Sequence, residues 1–369
     1  MYYAYILNSV VALAGIAIAA PAIPRSYNIP ASDGFPSPNP DQLATIQQKA
    51  GGQLPNGPPP PKLESSSLTA FQLILFNENF EVAYFSSLLE NVTNNASGYQ
   101  VDDHQKRAEL LSALEAVKAQ EELHAINANN VLTKFNTFAP PPCTYKFPTS
   151  DVNSAIALAE TFTSFVLGVL QDASQLLAQN GDAGPVRGVA SVIGQEGEQN
   201  GFFRNFLGFK KPSEKPFLTT SVAPFAFSVL QGFVDSCPFD VSQINIPIFP
   251  ALNVLSGSGG MDVEAKDQSL AFQADLTNVK DAEKYIGGQG EGLYITYLTG
   301  QNLPLSQPVT NVSWDGKKIK LEASFPFSAN VMEGLSVAVL TTSSGFSSPD
   351  DVVKATLAAP GLIQVNEKL

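Results

Sequence analysis

The chain predicts a bundle of four long α-helices with a short fifth, followed by an antiparallel β-sandwich of immunoglobulin-like character. Two observations carry this reading. Between residues 67 and 209, four apolar stripes run at alternating steps of three and four, the spacing of one buried helix face. From about Phe239 the texture changes to short alternating apolar and polar runs separated by Gly, Pro and Ser, the signature of strands. At 369 residues the chain is long enough for two such units. A net charge of −13 argues against a nucleic-acid partner, whose phosphates demand a basic face.

At the N-terminus, an apolar run from Val10 to Ala20 ends in Ala17-Ile18-Ala19, small residues at both ends of the triplet. It reads as a secretory signal spanning 1–19, cleaved near Ala19, which leaves no membrane contact in the mature chain. Residues 20–66 are rich in Pro, Gly, Ser and Gln and end in Pro58-Pro59-Pro60-Pro61. Such a segment buries little apolar surface, so a disordered, extended linker is expected. Three sequons, Asn91-Val-Thr93, Asn95-Ala-Ser97 and Asn311-Val-Ser313, agree with export, the first two falling in one polar inter-helix loop. Cys143 and Cys237 are the only cysteines, and each follows a helix in a proline-containing turn. One disulfide in an oxidising compartment suits them, with two free thiols as the alternative.

The bundle occupies 67–238. Two long helices fill 67 to about 136 and two more fill 151–209, with Ser66 or Ser67 capping the first and Ser150 or Asp151 the third. A shorter apolar helix covers roughly Val222 to Val234. Each long stripe is broken near its middle by a carboxylate. Phe71, Ile74, Glu78, Glu81, Phe85 and Leu88 form the first, and Leu110, Leu114, Val117, Glu121, His124, Ala128 and Val131 the second. Ile156, Glu160, Thr163, Leu167 and Leu170 form the third, and Val189, Val192, Glu196, Gln199, Phe203 and Phe206 the fourth. A buried carboxylate without a partner costs several kcal/mol even after relaxation. Several of them converging require either protonation or a cation between them, most economically a pair of metal ions.

An internal repeat refines the set. Glu78-Asn-Phe matches Glu160-Thr-Phe, and Gln120-Glu121-x-x-His124 matches Gln195-Glu196-x-x-Gln199. One Glu on each of two helices plus Glu-x-x-His on the others is the carboxylate-bridged dinuclear plan of helical bundles. On these residues, 67–236 resembles the ferritin-like fold. The apolar leader, the proline-rich segment, the Phe76-Asn-Glu-Asn-Phe-Glu81 helix and the C-terminal extension resemble fungal secreted stress-response and late-sexual-development proteins, themselves distantly similar to plant desiccation-related proteins. The resemblance implies Glu78 and Glu160 as terminal ligands, Glu121 and Glu196 as bridges, and His124 as the imidazole of one metal. Gln199 departs from the plan, since an amide is a poor ligand, and implies two unequal positions. Glu81 would offer a compensating carboxylate, and Glu122 and Glu198 face solvent or support the ligands.

Oxygen-rich ligation with one imidazole suits Fe or Mn rather than structural Zn. The implied chemistry is an oxidase or ferroxidase-like reaction, or metal sequestration. The alternative is a decayed site, held by hydrogen bonds, in an extracellular structural or protective protein.

In residues 239–369, strands are expected over Asp262–Leu276, Gly292–Leu298, Val309–Trp314, Lys317–Phe325, Leu335–Thr341 and Val352–Leu357, with Asp315-Gly316 as a hairpin turn. No catalytic constellation stands out there. Trp314 and the tyrosines either brace the sandwich or make carbohydrate, cell-wall or protein contacts.

Overall fold

The computed structural model describes residues 26–29, 32–280 and 282–369. The expected signal segment, 1–19, lies outside the described residues.

The expectation of a wholly disordered 20–66 is corrected. Strand β1 (Ser26–Asn28) and helix α1 (Pro40–Ala50) lie inside it. Asn39 accepts the N–H groups of Asp41 and Gln42, Gln42 returns a bond to the Asn39 N–H, and Pro40 stands in the first turn. Together they form a capping box with its proline in the permitted place. Gly51, at φ 71°, ends the helix in the left-handed region that glycine enters without strain. With few apolar residues, α1 owes its order to docking: Ile46 is buried against Ala119 and Leu123 of α3 (His104–Lys134).

Four long helices make the bundle: α2 (Ser65–Thr93), α3, α4 (Val152–Gln179) and α5 (Val186–Phe206). Asp151 caps α4 through Ser154. Glu64 stands at the N-cap of α2 without a side-chain bond. Ser67 is buried instead, donating to Asp182 at 2.6 Å and accepting from Asn180 at 2.9 Å, which ties the start of α2 to the end of α4. At the other end, the Tyr84 hydroxyl donates to the Ala155 carbonyl at 2.6 Å, so α2 and α4 run antiparallel. α4 is long and apolar enough to cross a bilayer, and most of it is buried inside the protein. Short α6 (Ala223–Gln231) packs against α4 and α2. Gly168 allows the chain before α6 to cross α4, since a Cβ there would lie 2.3 Å from the Thr219 carbonyl oxygen.

Beside the bundle, β2 (Thr144–Lys146) pairs with β1 on one side and with β3 (Val234–Ser236) on the other. Thr144 faces Ser236, so the next residues outward, Cys143 and Cys237, meet in a disulfide. Among the sequons, Asn91 belongs to the last turn of α2 and is half-buried, so it is not a loop residue. Asn95 and Asn311 are exposed.

The remaining strands are β4 (Asn253–Val254), β5 (Gln268–Asp275), β6 (Tyr294–Thr299), β7 (Leu305–Pro308), β8 (Thr310–Asp315), β9 (Lys318–Phe325), β10 (Gly334–Thr341) and β11 (Thr356–Val365). Short helices α7 (Phe327–Asn330) and α8 (Pro349–Lys354) lie on either side of β10. The strands form two antiparallel sheets, ordered β4-β5-β9-β8 and β11-β10-β6-β7. Lettered A to G in chain order, with β7 as C′, they read A-B-E-D and G-F-C-C′, an immunoglobulin-type arrangement. Several details differ from the sequence reading: β4 and β7 lie outside the expected strands, and the strand expected from Asp262 begins at Gln268. Val352–Lys354 belong to α8, with the strand starting only at Thr356. Asp315 pairs with Lys318, so the turn residues are Gly316-Lys317, with Gly316 at φ 58°. Glycine at the first central position is what this hairpin turn requires.

β10 is buried along its whole length. Ala338 and Leu340 face the sandwich core, whereas Leu335, Val337 and Val339 join the aromatic core of the bundle. The Trp314 indole donates to the Gly288 carbonyl at 2.9 Å and packs on the sandwich core, which makes it a brace.

Candidate metal centre

Glu78 from α2, Glu121 and His124 from α3, and Glu196 from α5 come together inside the bundle. One ligand-capable atom of each lies within 4.8 Å of the others. The helical stripes explain the convergence, because each residue replaces an apolar side chain on an inward face. His124 Nδ1 is 2.8 Å from Glu121 Oε2, 3.6 Å from Glu78 Oε2 and 3.7 Å from Glu196 Oε1. The three carboxylates are each 1 % exposed.

The donor set fits a metal on a structural observation. Glu78 Oε2 and both Glu196 oxygens are buried without a hydrogen-bond partner among the described residues. Buried polar atoms are rarely left so, and an unplaced ion is one of the standard causes. In the metal-free chain, protons take the place of a cation. Burial and, next, the charge of Glu78 push Glu196 well above the usual carboxylate range. Burial pushes Glu78 up to about 7, with His124 pulling the other way. Burial alone would lower His124, but Glu121 and Glu78 together hold it well above its ordinary value. A divalent ion entering such a site displaces these protons.

Two expected ligands sit beside the cluster without joining it. Glu81 is buried, accepts from Asn77 Nδ2 at 3.0 Å, and is pushed well up by burial and then by Glu121, Glu196 and Glu78. Gln199 Nε2 donates to Glu121 Oε1 at 2.7 Å, so its amide nitrogen orients that carboxylate. Gln120 in turn accepts from both Gln195 and Gln199.

Glu160 is placed elsewhere. Its Oε1 accepts from Arg204 Nη1 at 2.6 Å, and the same nitrogen donates to Asn366 Oδ1 at 2.9 Å. Both ends of this pair are almost fully buried. The argument that a buried carboxylate needs a positive partner holds for Glu160, but the partner is a guanidinium. Arg204 escaped the sequence reading, although a signal existed. Glu196, Asn200 and Arg204 step by four along α5, opposite Glu160 and Ser164 on α4, and Asn200 Nδ2 donates to Ser164 Oγ at 2.9 Å.

Glu122 also departs from expectation. It is buried and bonds Lys118 at 2.6 Å, and Lys118 also pairs with Asp33 from the N-terminal segment. Glu198 is exposed, and His104 opens α3 behind its Asp103 cap.

No curated protein matches the chain. Residues 66–209, which hold nearly all of α2 to α5 and every candidate ligand, match the family model described as a ferritin-like domain, and this helical part of the chain has that fold.

Proposed function

We propose that this protein binds a single Fe or Mn ion through Glu78, Glu121, His124 and Glu196. One observation carries the reading: three buried carboxylates, with three unpartnered oxygens among two of them, face one imidazole. Three oxygens and one nitrogen donor suit these metals better than a thiolate-seeking ion. Such an ion would supply one-electron chemistry toward oxygen or peroxide. The chain's own part is to hold Glu121 through Gln199, whose amide donates to its carboxylate.

A second metal is disfavoured by the Arg204–Glu160 pair, which neutralises the carboxylate that a dinuclear plan would use. That pair also supports the rival reading, in which the bundle is a scaffold and the rest of the site is a relic. Export, glycosylation at Asn91, Asn95 and Asn311, and service in stress response or sexual development rest on the family resemblance and the sequons.

Elemental analysis of chelator-free protein after aerobic addition of Fe(II) or Mn(II) tests the proposal. One ion per chain is expected, and Glu121→Ala should retain none. Wild-type protein without bound metal would leave the scaffold reading standing.

A further inference from the structure

A cavity of about 790 Å³ reaches from the surface to Glu78 and His124. Its volume is that of a small-molecule site. The shape follows the bundle axis. Phe71 and Ile74 precede Glu78 on α2, Val131 follows His124 on α3, and Val189 and Val192 precede Glu196 on α5. On antiparallel neighbours these positions fall at successive levels on one side of the acidic cluster.

The far wall is the proline-rich segment itself. Pro55 and Pro58–Pro60 line the cavity, and Pro60 lies 3.5 Å from where a Cβ on Gly184 would stand. Proline lacks an N–H, so this wall presents ring carbons and carbonyl acceptors but few donors. One cation stands on the rim. Arg187 is exposed, lines the cavity and makes no ion pair among the described residues. It precedes Glu196 by nine positions, about 13 Å along the α5 axis.

We propose that this cavity binds an unbranched amphiphilic carboxylate of roughly ten carbons, its carboxylate at Arg187 and its methyl end beside Glu78 and His124. The proposal deepens the metal reading by naming the class of molecule presented to that ion. Most wall residues are apolar, with Asn127, Asn130 and Ser191 as the polar exceptions, and the Arg187 guanidinium on the rim matches an anion.

Calorimetric titration of metal-free protein at low salt, with decanoate and with decanol, tests it. Wild type should bind one decanoate, more tightly than decanol by roughly fivefold, the worth of an exposed ion pair. Arg187→Gln should weaken decanoate to the level of decanol and leave decanol unchanged. Val192→Trp should abolish binding of both. Arg187→Gln is a surface change and carries the test alone if Val192→Trp fails to fold. No decanoate binding by wild type, or undiminished binding in Arg187→Gln, overturns the proposal. Decanoate binding by a protein that takes up no metal would sustain the cavity and defeat the metal reading, so the two fail separately.

Discussion

Arg204 and Glu160 stabilise each other only as a pair. Replacing Arg204 with Met strands a buried carboxylate and should cost about 3 kcal/mol in denaturant unfolding. The double change Arg204→Met with Glu160→Leu should recover most of that loss, because a well-packed apolar pair often equals a buried ion pair. A double variant no better than the single one would contradict this account of Glu160. Metal uptake discriminates further: Glu160→Gln should still hold its ion, whereas Glu196→Ala should not. At this scale the sequence was informative wherever a carboxylate broke an apolar stripe, since Glu78, Glu121, His124 and Glu196 do meet. It misled for Glu160, which has the same stripe signature. Periodicity reports which way a side chain points, not whether an arginine from the next helix already answers its charge.

At the level of elements, two connections deserve a quantitative test. The Cys143–Cys237 bond joins residues 94 apart, just beyond the paired ends of β2 and β3. Reducing it, or replacing both cysteines by Ser, should lower unfolding stability by roughly 2–4 kcal/mol. The capping box adds to the docking of helix α1, and Asn39→Ala should cost about 1 kcal/mol, measurable by denaturant titration or by faster amide exchange confined to 40–50. If that exchange is unchanged, the capping account of α1 is wrong. The long helices were legible because each spans many turns of one stripe. Helix α1 was not, because composition averaged over 20–66 hid a local cap, Asn39-Pro40-Asp41-Gln42, that three or four apolar residues sufficed to exploit. The last strand was misplaced because Val352-Val353 invite a β reading, while Ser348, accepting the Asp351 N–H, starts a helix there.

For the whole molecule, the sandwich and the bundle share one core through β10. The run Leu335-Ser-Val-Ala-Val-Leu340 is apolar on both faces, the mark of a strand covered on both sides, so a layer behind it could have been anticipated. Which helices form that layer could not, because alternation specifies faces and not partners. Acidity should also register globally. Burial raises Glu78 to about 7 from 4.5 and Asp172 to about 6 from 3.8, and pushes Glu81 and Glu196 well above the usual carboxylate range. Each folded-state value lies above the unfolded one, so the associated stability is complete below the ordinary value and disappears as pH rises through the raised one. Chelator-treated protein should therefore melt several degrees lower at pH 8 than at pH 5. A melting temperature that climbed over that interval would show these groups ionised and satisfied.

One ion lying among Glu78, Glu121, His124 and Glu196 is the central claim. Anomalous diffraction at the iron or manganese edge, from crystals of the metal-loaded protein, would locate it directly. A single peak within bonding distance of those four side chains, with none beside Glu160, is the expected result. Two peaks, a peak next to Glu160 in place of Arg204, or no peak inside the bundle would contradict it.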